Sequence, residues 1–239
     1  MTIYKLYKRQ DVLLRRIFEK EEELFPGAQV LLCGGTALAR CYLAHRVSYD
    51  LDFFISKRFE PRLLQRRMKD SGLRLHAVEV VIDPMVAAQL HGMVNVKGES
   101  IRISIVEDIY ADMFPTVTVQ GIRTEVISGL YHRKLRTITG SGEIVTETGR
   151  ITGKGARQTA RDLFDLYVLS KEIKPIMAFV AEINSKGANV SERVLHSGLR
   201  NIPWQELMDE FETLEVLERY KGITAFDVKR HFDRCFKPI

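Results

Sequence analysis

Leu31-Leu32-Cys33-Gly34-Gly35-Thr36-Ala37-Leu38, and after it Arg46-Val47-Ser48-Tyr49-Asp50-Leu51-Asp52-Phe53-Phe54, form the stretch on which the fold turns. An apolar run meets Gly-Gly-Thr, a short helical pattern follows, and Asp-x-Asp then enters a second apolar run. Side chains alternate faces along a strand, so Asp50 and Asp52 point the same way. Two carboxylates on one face repel, and a divalent cation removes that repulsion; hard oxygen ligands suit Mg²⁺, or Mn²⁺. Gly34 and Gly35 permit a tight turn and let backbone N–H groups come close to a phosphate. A phosphate cradle beside metal-binding aspartates is the equipment of phosphoryl or nucleotidyl transfer.

Taken singly, each element has an ordinary explanation. Gly-Gly occurs in many strand-to-helix turns, and Asp-x-Asp can sit on a solvated strand edge. Here the aspartates are embedded among Leu51, Phe53, Phe54 and Ile55, which indicate a buried strand, and buried carboxylates require a metal or arginine partners.

The rest of the chain sets the frame. Its 239 residues are enough for one large domain or two small ones. With 45% hydrophobic and 28% charged residues the composition is that of a soluble globular protein. No apolar run reaches the ~20 residues needed to cross a membrane, and the N-terminus lacks a signal peptide's apolar core, so a cytoplasmic protein without membrane contact is expected. Cys33, Cys41 and Cys235 show no CxxC spacing, which argues against a disulfide framework or a zinc site. A net charge of +5 agrees with a nucleotide or nucleic-acid partner without requiring one.

Helical spacing predicts a helix over Tyr4–Leu24, stopped by Pro26-Gly27, and others over Thr36–Leu43 and from Pro61 to Asp70. Strands are predicted at Val30–Cys33, Leu51–Ile55, Leu75–Ile82 and Ile101–Val106, and Val117–Ile122 reads as another strand or half a hairpin, giving a sheet of about five strands. Beyond Val126 the pattern turns helical: Ser128–Ile138, Arg157–Lys171, Ile176–Ile183, Ser191–Leu199, Trp204–Phe211 and Ala225–Phe236. A long loop with Gly140, Gly142, Gly149, Gly153 and Gly155 separates the first two. The expected fold class is α+β, a mixed sheet with flanking helices followed by a helical lobe, divided into 1–126 and 127–239.

Two further groups lie in that lobe. In Arg161-Asp162-Leu163-Phe164-Asp165-Leu166-Tyr167 the two aspartates share a helix face, although acidic first turns are common. Lys134 lies in the basic run Tyr131-His132-Arg133-Lys134-Leu135-Arg136.

Together, Gly-Gly-Thr-Ala-Leu, Arg46-x-Ser48-x-Asp50-x-Asp52, the lysine helix and Arg-Asp-Leu-Phe-Asp-Leu-Tyr resemble the AbiEii/AbiGii toxin family of nucleotidyltransferases, within the DNA polymerase β-like superfamily. The resemblance runs from about Val30 to about Tyr167. It implies a nucleotidyltransferase-type fold and transfer of an NMP from an NTP. Family members act as toxins of toxin–antitoxin and abortive-infection systems, and some act on the acceptor end of tRNA. An RNA acceptor and a cognate antitoxin are therefore implied partners.

By position, Gly34, Gly35 and Thr36 resemble the turn that holds the triphosphate. Asp50 and Asp52 resemble the metal ligands, and Arg46 and Ser48 the residues that support the turn and meet the nucleotide. Lys134 resembles a nucleotide-contacting lysine, and Asp162 or Asp165 the late acidic residue needed for activity. The chain departs from the pattern at Ser104, where the superfamily often has a third carboxylate, and at Thr137, Ile138 and Ser141, where the family has Ala-Leu and an arginine, for which Arg157 on the next helix is the candidate replacement. The alternatives are a binding module without catalysis and transfer to a small molecule, as in aminoglycoside nucleotidyltransferases.

Overall fold

The computed structural model describes residues 2–146 and 151–235. Gly149 of the glycine-rich loop and Phe236 at the predicted end of the last helix lie outside them. The chain divides into two compact units, Met1–Tyr42 with Ser48–Ile127, and Leu43–Val47 with Ser128–Ile239.

The first unit begins with α1 (Ile3–Glu19) and a separate turn, α2 (Glu21–Leu24), where a single helix is predicted. Strand β1 (Val30–Cys33) leads directly into α3 (Gly34–Ala37), which continues as a wider π turn over Leu38–Leu43. Then come β2 (Leu51–Ile55), α4 (Pro61–Asp70), β3 (Leu75–Val81), β4 (Gln89–Val96) and β5 (Glu99–Glu107). Pro61 suits the first turn of α4, whose free backbone N–H groups at Arg62 and Leu63 donate to the Glu60 carboxylate.

The five strands form one mixed sheet in the order β1-β2-β5-β4-β3. Only β2 and β5 run parallel; the other neighbours are antiparallel. One face carries Leu51, Phe53, Ile55, Leu90, Val94, Ile101, Ile103 and Ile105, all buried. Phe18 of α1 meets Phe53 edge to face on that side, with ring centroids 6.2 Å apart. The opposite face carries Asp52, Ser104 and His91.

The sheet has five strands as predicted, but its membership differs. β4 is missing from the sequence reading, because its apolar alternation Leu90-x-Gly92-x-Val94-x-Val96 has glycine at a central inward position. A Cβ at Gly92 would press on the Leu75 side chain and the His76 carbonyl, both at 3.2 Å. Of the two readings of Val117–Ile122 the half-hairpin is the one found, outside the main sheet, as β6 (Thr116–Val119) with β7 (Ile122–Glu125). Its turn residues Gln120 and Gly121 both have positive φ, 51° and 79°, the backbone of a tight two-residue hairpin.

The second unit holds α5 (Ile127–Thr139), which begins at its border, and a hairpin, β8 (Glu143–Val145) with β9 (Ile151–Gly153), inside the glycine-rich loop. Then follow α6 (Ala160–Glu172), α7 (Ile176–Ser185), α8 (Glu192–Arg200), α9 (Trp204–Glu212) and α10 (Ala225–Cys235). α6 starts three residues later than the pattern predicts, because the Thr159 side chain caps it by accepting from the Asp162 N–H. Its core centres on Tyr131, stacked on Phe179 with centroids 4.0 Å apart, and on buried Phe164 and Phe232. This unit also captures a piece of the N-terminal half. Val47 N–H donates to the Glu215 carbonyl (2.7 Å), Leu217 N–H donates to the His45 carbonyl (2.9 Å), and Arg46 bridges Val216.

Candidate active site

The strand-turn-helix at Gly34 is built around the Asp52 carboxylate. Cys33 pairs with Asp52 across β1 and β2, and Gly34 follows with φ +67°, a left-handed backbone that glycine adopts without strain. A Cβ at Gly34 would overlap Asp52 Oδ2 and lie 3.2 Å from the carboxyl carbon. Glycine here is therefore required twice, by the backbone and by the carboxylate lying against it.

The loop that delivers Asp50 is pinned from two sides. Thr36 Oγ1 donates to the Asp50 carbonyl and shares a hydrogen bond with Ser48 Oγ at 2.8 Å, in which Ser48 supplies the hydrogen. Gln10 Nε2 donates to the carbonyls of Ser48 (2.9 Å) and Tyr49 (3.1 Å). Thr36 and Ser48 are buried, whereas Asp50 and Asp52 are half-exposed. The first unit thus brings together Gly34, Gly35, Thr36, Ser48, Asp50 and Asp52. Gln10 is a participant the sequence reading missed. Its signal was an amide on the α1 stripe otherwise made of Leu6, Leu13, Leu14 and Ile17, a position where a polar group must find partners.

The second unit assembles the other predicted residues. Asp165 is fully buried. Arg46 grips it with both arms of the guanidinium, Nε to Oδ1 at 2.6 Å and Nη2 to Oδ2 at 2.9 Å. His45 Nε2 lies 2.6 Å from Oδ1 and donates, since an ionised carboxylate only accepts. Lys134 Nζ bridges the two aspartates, 2.7 Å from Asp165 Oδ2 and 2.6 Å from Asp162 Oδ1. Asp162 Oδ2 accepts from Thr159 Oγ at 3.0 Å and faces Arg157 Nε at 3.4 Å. His45 is the residue missed here; only its place beside Arg46 hinted at it.

The electrostatics follow from this packing. Burial works against the charge on Asp165, but Arg46, Lys134 and the His45 hydrogen bond outweigh it and hold the carboxyl well below its usual range. Burial likewise opposes ionised Asp162, and Lys134 with Arg157 lowers it. Lys134 is desolvated as well, yet Asp162 and Asp165 raise its pKa overall. Two buried cations and two buried anions therefore balance each other.

Among the described residues no cluster of three or more His, Cys, Asp or Glu is arranged to hold a metal. The candidate donor set is the Asp50 and Asp52 pair. Two carboxylates against a glycine floor fit Mg²⁺, which keeps several waters and takes one or two carboxylates together with substrate phosphates.

No described helix is long and apolar enough to cross a membrane. The structure is similar to MenT4, a nucleotidyltransferase toxin from Mycobacterium tuberculosis, at 14% identity and a TM-score of 0.50, covering 99% of this chain and 85% of that one. It is also similar to JHP933 from Helicobacter pylori, at 19% identity and a TM-score of 0.47, covering 95% and 91%. No curated protein sequence matches the chain. The family model described as nucleotidyl transferase AbiEii toxin, type IV toxin–antitoxin system, matches residues 16–227. The mixed sheet with its Gly-Gly turn against Asp52, and a family match over most of the sequence, lead to one assignment: the chain belongs to the AbiEii family of nucleotidyltransferase toxins and is a nucleotidyltransferase.

Proposed function

We propose that this enzyme transfers an NMP from an NTP to a hydroxyl of an RNA acceptor such as tRNA, with Mg²⁺ or Mn²⁺ held by Asp50 and Asp52, and that a cognate antitoxin restrains it. The observation that carries this reading is the contact between the Gly34 turn and the Asp52 carboxylate, which juxtaposes a bare backbone surface for phosphate with a metal-binding group. The metal would neutralise charge building on the attacking and leaving oxygens. The chain's own residues do the positioning. Gly34 and Gly35 leave the turn without side chains, so a triphosphate can approach the backbone. Thr36, Ser48 and Gln10 fix the loop from which Asp50 projects.

In this reading Arg46 supports the segment before Ser48, and Lys134 helps to hold it through their shared partner Asp165. Both oxygens of Asp165 are occupied by His45, Arg46 and Lys134. Asp165 therefore serves as a positioning residue that keeps the two cations in place, and Asp162 assists it at Lys134.

The test is incubation with each α-labelled NTP, Mg²⁺ and total RNA. Asp52→Asn should abolish label transfer while leaving the thermal unfolding transition cooperative; full transfer by that variant would overturn the reading. A second reading, nucleotide or antitoxin binding without chemistry, draws on Ser104 occupying the position next to Asp52 in the sheet. NTP binding by the wild-type chain with no incorporation into any RNA pool would favour it.

A further inference from the structure

One row of side chains crosses all five strands on the aspartate face of the sheet. Cys33 on β1 pairs with Asp52 on β2, Asp52 with Ser104 on β5, Ser104 with His91 on β4, and His91 with Glu79 on β3. Neighbouring strands lie about 4.8 Å apart, so His91 stands two strands from Asp52 with only the small Ser104 between.

The hydrogen bond to Gln89 favours one tautomer of the imidazole. Its Nε2 lies 2.9 Å from Gln89 Oε1; an amide oxygen only accepts, so Nε2 carries the hydrogen. That leaves Nδ1 with the lone pair. Nδ1 is buried and has no hydrogen-bond partner among the described residues. A buried acceptor without a donor is costly, and this one stands two strands from Asp52 on the same face of the sheet, where a donor from outside the chain would satisfy it. The acceptor substrate of a nucleotidyltransferase brings one, its attacking hydroxyl.

Resting on the nucleotidyl-transfer reading, we propose that His91 is the base of the reaction: its Nδ1 takes the proton of the acceptor hydroxyl as that oxygen attacks the α-phosphorus. The new oxygen–phosphorus bond forms, the α-phosphorus bond to the bridging oxygen breaks, its electron pair leaves with pyrophosphate, and the proton passes from His91 to water. Ser104, by its small size, leaves the row open between the metal ligand and the imidazole. The charged groups around His91 come from three strands. Burial and Arg102 on β5 lower its pKa, while Glu79 on β3 and Asp52 on β2 oppose them in part, so the ring is neutral and able to accept at neutral pH.

Single-turnover transfer, NTP affinity by calorimetry and the pH profile test this in the full chain. His91→Gln keeps an amide donor for Gln89. It should lower the transfer rate about 10²–10⁴-fold, leave NTP affinity unchanged and remove the histidine-dependent limb of the pH profile. His91→Ala should lose as much, and His91→Ala with Ser104→Asp should recover part of the rate, since a carboxylate next to Asp52 gives the proton another acceptor. Wild-type transfer by His91→Gln would overturn the proposal alone, as would failure of Ser104→Asp to raise the rate of folded His91→Ala. If the wild-type chain transfers to no acceptor, the nucleotidyl-transfer reading falls and this proposal with it.

Discussion

Gly34 is a residue whose identity is fixed by its own left-handed backbone and by the carboxylate packed against it. Replacing it with alanine places a methyl group on Asp52 Oδ2 and leaves a Cβ at φ +67°. Gly34→Ala should destabilise the fold by at least about 1 kcal/mol in urea titration and reduce transfer more than stability, because the carboxylate must move. His132 offers a different test. It is buried at α5, accepts from Arg136 Nε at 3.1 Å, and burial, with Arg136 and Arg133, drives its pKa down to about 3. In the unfolded chain the ring protonates near pH 6.5. Between those values the unfolded state binds a proton that the folded state refuses, so stability falls as pH drops from 6.5 toward 3, by up to about 1.4 kcal/mol per pH unit. His132→Gln should flatten that part of the stability–pH curve. The turn at Gly34 was legible in sequence, since turn chemistry is a local rule; its contact with Asp52 was not, because it comes from the pairing of β1 with β2. Gln10 was not, because its partners Ser48 and Tyr49 are nearly forty residues away.

Among elements, α6 depends on a charge balance it does not contain. Asp165→Asn removes the anion that Arg46 and Lys134 share, leaving buried cations short of a partner, and should cost about 3–5 kcal/mol. The pH window has a definite sign. Asp162 and Asp165 are depressed, so their contribution is complete above the unfolded carboxylate value of about 3.9 and is lost as pH falls through the lower folded values. Lys134 is raised, so its contribution is complete below about 10.4 and is lost as pH rises through the folded value. The stability gap between wild type and Asp165→Asn, read from chemical denaturation, should therefore stay level between those limits and narrow outside them. The spacing of Asp162 and Asp165 showed that they share a helix face, but left open which mattered. Burial separates their duties: Asp165 holds two cations, and Asp162 holds Lys134 against the helix cap. β4 escaped notice for the opposite reason, since Gly92 erased an inward apolar position that only contact with β3 explains.

At the scale of the molecule, the boundary read near Val126 rests on a change in the sequence pattern from mixed to helical. The five residues Leu43–Val47, which fold with the second unit, carry no such change; their membership comes from Asp165, Glu215 and Leu217, more than a hundred residues downstream. The chain therefore passes between its two units three times. This has a consequence for heredity as well as for stability. A single genetic crossover between two relatives at residue 127 would give a hybrid whose captured segment and whose captor descend from different parents. Such a hybrid should melt earlier than either parent, and transplanting residues 43–47 from the donor of the second half should restore it. Homologous exchange between these toxins would then favour a five-residue patch travelling with a distant half, an imprint to be sought in how their genes recombine.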